Sequence, residues 1–223
     1  MGRIHLGTIL GTTLSLDFSF LILIAFFVFP EVQSRGMQYA LLWAPVLLIS
    51  ILFHELAHAG MIGALGFGPS EVVLGGIGGA TYNKRQARPW QDLLISAAGP
   101  LASFVLAWVI GLSLSRIPLT GHDPFLRALL PLLMRANLWW GVFNLIPVGP
   151  LDGGSVLLNF LRLFLHERLA FPIAIWTSMI VGVILAILSL ATRWIFLSLL
   201  MFWYVHSSWT RWQFFRQTNR TDE

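Results

Sequence analysis

The chain has 223 residues, of which 57% are hydrophobic and only 11% charged, with a net charge of +4 and no cysteine. Soluble domains carry about 25% charged residues, so in water this chain would expose far more apolar surface than its charges could mask. The composition excludes a soluble domain, the missing thiols exclude disulfides, and any metal site is confined to His, Asp and Glu.

A spanning helix needs about 20 predominantly apolar residues, and six stretches are read as spans. The first, near 18–30, follows "MGRIHLG" and could pass for a signal peptide. No small-x-small cleavage site follows it and Asp17 interrupts the approach, so it is read as a retained span. The second span, 39–65, contains "HELAH" at 54–58. The segment "SEVVLGGIGGATYN", 70–83, places β-branched residues around a glycine cluster and predicts a short β-hairpin between the second and third spans.

The third and fourth spans are expected at 92–115 and 124–146. The segment "NLIPVGPLDGG", 144–154, then breaks any helix with two prolines and three glycines. Irregular backbone at membrane depth survives only where protein buries it or a wet cavity borders it. The last two spans are placed at 170–190 and 193–210. The expected fold is thus an all-α polytopic membrane protein with about six transmembrane helices and one short hairpin. No linker or low-complexity tract divides residues 1–223, and one membrane domain is expected.

With the N-terminus inside, nine of the fourteen basic residues fall on inside segments, four (Arg35, Arg116, Arg127 and Arg193) outside and Arg135 within a span. Scattered in this way, the basic residues fit a membrane protein with both termini cytoplasmic better than a nucleic-acid binder.

His54 and His58 are four residues apart, hence on one face of a helix. Two imidazoles at that spacing can grip one zinc ion, and Glu55 beside them can accept a proton from water activated by it. Ionisable groups within a span cost about 2.5–3.5 kcal/mol each on insertion scales, so a buried and unused set is a poor explanation for them. Catalytic zinc takes three protein ligands. Candidates for the third are Asp152, His206, Asp92, Glu71, His122 and His166. His122 falls in an outside loop and His166 in a charged turn, Asp92 suits a helix N-terminus, and Glu71 opens the hairpin. His206 stays open. Asp152 stands out because the broken backbone around it can aim an oxygen ligand at a neighbouring helix.

"HELAH" together with "NLIPVGPLDGG" resembles the site-2 proteases, the zinc intramembrane proteases. "LGTILGTTLSLDFSFLIL" (6–23), "LGGIGGATY" and "ISAAGPLASFVLAW" (95–108) are similar to further segments of that family. The resemblance covers about residues 4–160; the helices near 170–210 match in hydrophobicity alone. It implies His54, His58 and Asp152 as ligands of one Zn2+, Glu55 as general base, and Asn144 as a residue that hydrogen-bonds substrate backbone or the oxyanion. It also implies a transmembrane protein or peptide substrate, action within the lipid bilayer, and a prokaryotic cytoplasmic membrane. Departures are Gly149 where proline is common, Ser103 where asparagine is, and Asp17 where histidine is frequent. No PDZ or CBS module is read in the chain, so any substrate filtering of that kind falls to a regulatory membrane partner or to the membrane core itself.

The glycine-rich stretch 72–80 is read as a strand with which an extended substrate could pair, with proline at Val72 or Val73 as its probe. Gly60, Gly63 and Gly66 are expected to permit close helix packing. Trp203, Trp209 and Trp212 are expected in an interfacial belt, while Arg135 would pair with a carboxylate or snorkel. Competing readings are a membrane metal-binding or transport protein, in which the same side chains line an ion path, and an inactive relative that binds transmembrane segments.

Overall fold

The computed structural model describes residues 2–9, 11–84, 86–116 and 124–220. The chain forms two compact units, residues 1–86 with 98–142 and residues 87–97 with 143–223.

The first unit begins with strands β1 (Arg3–Ile9) and β2 (Thr12–Asp17). Helices α1 (Phe20–Arg35), α2 (Met37–Ala40) and α3 (Trp43–Ala64) follow, then β3 (Ser70–Gly75) and β4 (Gly78–Tyr82). The expected hairpin is therefore present, but as half of a four-stranded sheet of order β1-β2-β3-β4. β2 runs parallel to β3, with Leu14 opposite Val72, and β3 runs antiparallel to β4, with Val72 opposite Thr81. Val72 and Val73 are thus paired on both sides. Proline there would break the sheet itself and cannot report on an added strand; the edge of the hairpin is β4.

Polar ties fix the sheet to the start of α1. The Asp17 carboxylate accepts the Ser19 N–H at 2.8 Å and lies 3.8 Å from the Arg3 guanidinium. The hydrogen bonding from Ser19 holds the Asp17 carboxyl below its ordinary range. Ser19 Oγ in turn accepts the Gly76 N–H at 2.9 Å. The Asn83 amide closes the hairpin by donating to the Phe67 and Pro69 carbonyls.

α3 buries a stripe comprising Val46, Leu47, Ser50, Ile51, His54, Glu55, His58, Ala59 and Ile62. Steps of three and four residues keep this stripe on one side of a 3.6-residue helix. Leu47, Ile51 and Ala59 join Leu14, Phe20, Leu23, Val72 and Leu74 in one core cluster, and Val46 joins Ile110, Leu132 and Leu133 in another. The helix ends at Gly66, where φ is +79°. There the Gly66 N–H bonds the Gly63 carbonyl and the Phe67 N–H bonds the Ile62 carbonyl, the two bonds of a Schellman end. Gly60 and Gly63 depart from expectation: a Cβ on either meets nothing within 4 Å. Neither glycine is needed for packing inside the protein.

Helices α4 (Pro89–Arg116) and α5 (Pro124–Asn144) lie where the third and fourth spans are expected; of the two, α4 is long and apolar enough to cross a membrane. Arg135, exposed on α5, donates to the Pro131 carbonyl of its own helix at 3.3 Å, and no carboxylate partner is seen among the described residues. In the second unit an irregular segment, 145–151, leads into α6 (Asp152–Arg162). This 11-residue helix was not expected. α7 (Glu167–Ala191) and α8 (Ile195–Arg220) complete the chain.

Among the described residues, Met37–Ala64, Pro89–Arg116 and Glu167–Ala191 are long and apolar enough to cross a membrane. In the most apolar stretches of these three, 44%, 33% and 33% of residues are buried within the protein, so most of their apolar surface needs lipid to cover it. Large side chains such as Phe29, Trp108, Trp139, Phe164 and Phe202 stand exposed, which water would not tolerate in such numbers.

Candidate metal centre

His54, Glu55 and His58 are all buried on α3, at 1%, 5% and 6% exposure. The two imidazoles meet edge to face, and their Nε2 atoms lie 3.2 Å apart. Two zinc–nitrogen bonds of about 2.0–2.1 Å at a tetrahedral angle would set the nitrogens about 3.3 Å apart, so the pair fits one ion. Ser103 Oγ stands 3.0 Å from His54 Nδ1. With Nε2 facing a metal, Nδ1 carries the proton and donates it to the serine, which fixes both tautomer and ring orientation. The resemblance marked position 103 only as a departure; its use becomes visible only when α4 is placed.

Gly99 on α4 leaves room in front of the imidazoles. A Cβ there would stand 2.6 Å from His54 Nε2 and closer still to His58 Nε2. Glu55 is accommodated in the same way by β4, where a Cβ at Gly79 would stand 2.5 Å from its Oε1. Thr81 Oγ1 donates to Glu55 Oε2 at 2.7 Å and approaches the Glu55 carbonyl at 3.2 Å. The hairpin therefore orients the carboxylate next to the histidine pair. Thr81, Gly79 and Gly99 carried no signal of their own in the sequence beyond membership of glycine-rich or small-residue runs.

Asp152 opens α6 and is half-buried. His54, His58 and Asp152 each offer one ligand atom, a set that could hold one metal ion. Two imidazoles and a carboxylate form a donor set suited to catalytic zinc. Asn144 is the last residue of α5 and half-buried.

The other candidates are not members of this group. Glu71, in β3, lies 3.7 Å from Arg3. Asp92 sits in the first turn of α4, His166 caps α7, and His206 is exposed on α8. His122 lies outside the described residues.

No family model matches the chain. A zinc metalloprotease of Methanocaldococcus jannaschii is 31% identical over 157 residues, which are 69% of this chain and 44% of that protein. A Synechocystis sp. protein provisionally named a zinc metalloprotease is 36% identical over 132 residues, 58% of this chain and 34% of its own. The chain thus spans less than half the length of these curated relatives. The solved structure of a site-2 protease from Methanocaldococcus jannaschii superposes with a TM-score of 0.68 at 25% identity, covering 94% of each chain. In sequence the chain is thus similar to zinc metalloproteases, and in fold it is similar to a site-2 protease.

Proposed function

We propose that the protein is a zinc-dependent intramembrane endopeptidase that hydrolyses peptide bonds within or near transmembrane segments of membrane proteins. The observation that carries this reading is the buried His54–His58 pair, whose Nε2 atoms lie 3.2 Å apart on α3, with Glu55 buried on the same helix stripe. The ligand roles of His54, His58 and Asp152, the base role of Glu55 and the substrate-binding role of Asn144 are part of the proposal.

When bound, zinc supplies a Lewis acid that acidifies water and polarises a carbonyl. The chain's residues do the rest. Glu55, held by Thr81, accepts a proton from water and returns it to the leaving amine. The surrounding apolar side chains keep bulk water from the reacting groups. Asn144 offers an amide donor to substrate backbone or developing oxyanion. A transmembrane substrate already satisfies its own backbone and must unwind to be cut. β4 is the hairpin strand whose outer side no described strand pairs with, and an extended substrate would bind there by main-chain hydrogen bonds, alongside the Glu55 that β4 orients.

In the bilayer we assign six spans, α1, α2 with α3, α4, α5, α7 and α8, leaving α6 as a short non-spanning helix. The distribution of basic residues supports both termini on the cytoplasmic side. In this orientation α3 runs inward, and its second half places HELAH nearer the cytoplasmic face, from which water would enter.

The test uses the purified full chain, its bound zinc and a panel of transmembrane peptides. Glu55→Gln should retain zinc and lose cleavage by at least about 100-fold, the scale of general-base catalysis. Cleavage that persists in Glu55→Gln, or zinc-dependent uptake without cleavage in either protein, would sink the reading.

A further inference from the structure

Asp152 is delivered by a segment that has no regular structure of its own, and the second unit shows what holds it. Val148 and Leu151 are buried in a cluster with Met201 and Tyr204 of α8, against Val181 and Leu185 of α7. Between these two anchors, the Gly149 N–H donates to Ser178 Oγ of α7 at 2.6 Å. Ser178 Oγ lies 2.9 Å from Ser208 Oγ of α8. Both serines are buried, at 1% and 0% exposure. Ser178 Oγ accepts from the backbone, and either hydroxyl can donate across the contact with Ser208. The result is a buried hydrogen-bonded line from the ligand segment across both C-terminal helices.

Glycine at 149 is what permits this line. A Cβ there would stand 2.7 Å from Ser208 Oγ and overlap the Arg211 guanidinium. Proline, the residue the family pattern leads one to expect, would also remove the N–H that Ser178 accepts. An N–H in an apolar interior must find a partner, so without the Ser178 hydroxyl this segment would have to rearrange three residues from Asp152.

We propose that Ser178, backed by Ser208, is a positioning residue that sets the Asp152 carboxylate for metal binding, and that α7 and α8 serve the metal centre as well as anchoring the chain. The proposal rests on the zinc-protease reading above.

The experiment measures zinc affinity of the full chain by chelator competition, the absorption spectrum of the Co2+-substituted protein, and thermal unfolding of the metal-free protein. Ser178→Ala should weaken zinc binding about ten-fold, the lower end of the range for residues that support metal ligands. It should alter the Co2+ spectrum and lower metal-free unfolding by no more than the loss of one buried hydrogen bond explains. Ser178→Thr, which keeps the hydroxyl, should recover most of the affinity, and Ser208→Ala should lose less than Ser178→Ala. Wild-type affinity and spectrum in Ser178→Ala would overturn the proposal, as would equal losses in Ser178→Ala and Ser178→Thr. Zinc binding that survives His54→Ala would instead break the metal reading beneath it.

Discussion

α3 carries His54 and His58 four residues apart, and a helix needs no outside help to set them on one face. Residues 145–151 have no such internal rule. Successive turn bonds link Ile146 to Phe143, Val148 to Ile146, Leu151 to Val148 and Gly154 to Leu151, and α7 and α8 supply the remaining support. The histidine pair therefore depends mainly on what is kept out of its way, and Asp152 on what holds its backbone. Glycine substitutions distinguish these two kinds of dependence because each glycine has a different neighbour.

The largest effect is expected at Gly99. Alanine suits the interior of α4 better than glycine does, so the fold should survive Gly99→Ala. Its Cβ, however, would stand 2.6 Å from His54 Nε2, in the space a metal must use. Purified Gly99→Ala should be folded and nearly metal-free by elemental analysis, where wild type holds zinc. A full complement of zinc in the variant would mean that the imidazoles do not face α4 as described.

Gly153→Ala probes the other region. Its Cβ would overlap the Leu145 and Ile146 carbonyl oxygens, which are backbone atoms and cannot swing aside as a side chain can. Overpacking of this kind costs about 1–3 kcal/mol, and here the upper end is expected, read as a lower unfolding midpoint of the metal-free protein. Gly99→Ala should leave that midpoint unchanged. If the two variants behaved alike in the metal-free state, the distinction between the regions would fail.

The comparison also explains what was legible in the sequence. HELAH could be read because helical spacing and the cost of buried charge are local facts. The hairpin could be read from its glycines and β-branched residues. The break before Asp152 was visible in "PVGPLDGG", and α6 was hidden because Gly153 and Gly154, which read as helix breakers, lie inside its first turn. Their small size lets α6 pack on the preceding backbone, with a Cβ at Gly154 only 2.8 Å from the Val148 carbonyl. Ser103, Thr81 and Ser178 act across 49, 26 and 29 residues of chain. No local pattern distinguishes these hydroxyls from any other serine or threonine in an apolar run. The β1–β2 addition to the sheet was missed for the same reason, because strand pairing is a long-range choice.

The smallest effect is expected where sequence reading assigned a role that the fold does not use. Gly60 and Gly63 suggested close helix contact, yet a Cβ on either meets nothing within 4 Å. Glycine within a helix costs about 0.5–1 kcal/mol relative to alanine. Gly60→Ala and Gly63→Ala should each raise the unfolding midpoint slightly, with zinc content and peptide cleavage unchanged. A loss of cleavage without a loss of stability would show that this face of α3 is kept narrow for something outside the chain, such as the substrate helix. The region that most resembles a packing motif would then be a docking face, and α3 would depend on its surroundings as much as the Asp152 segment does.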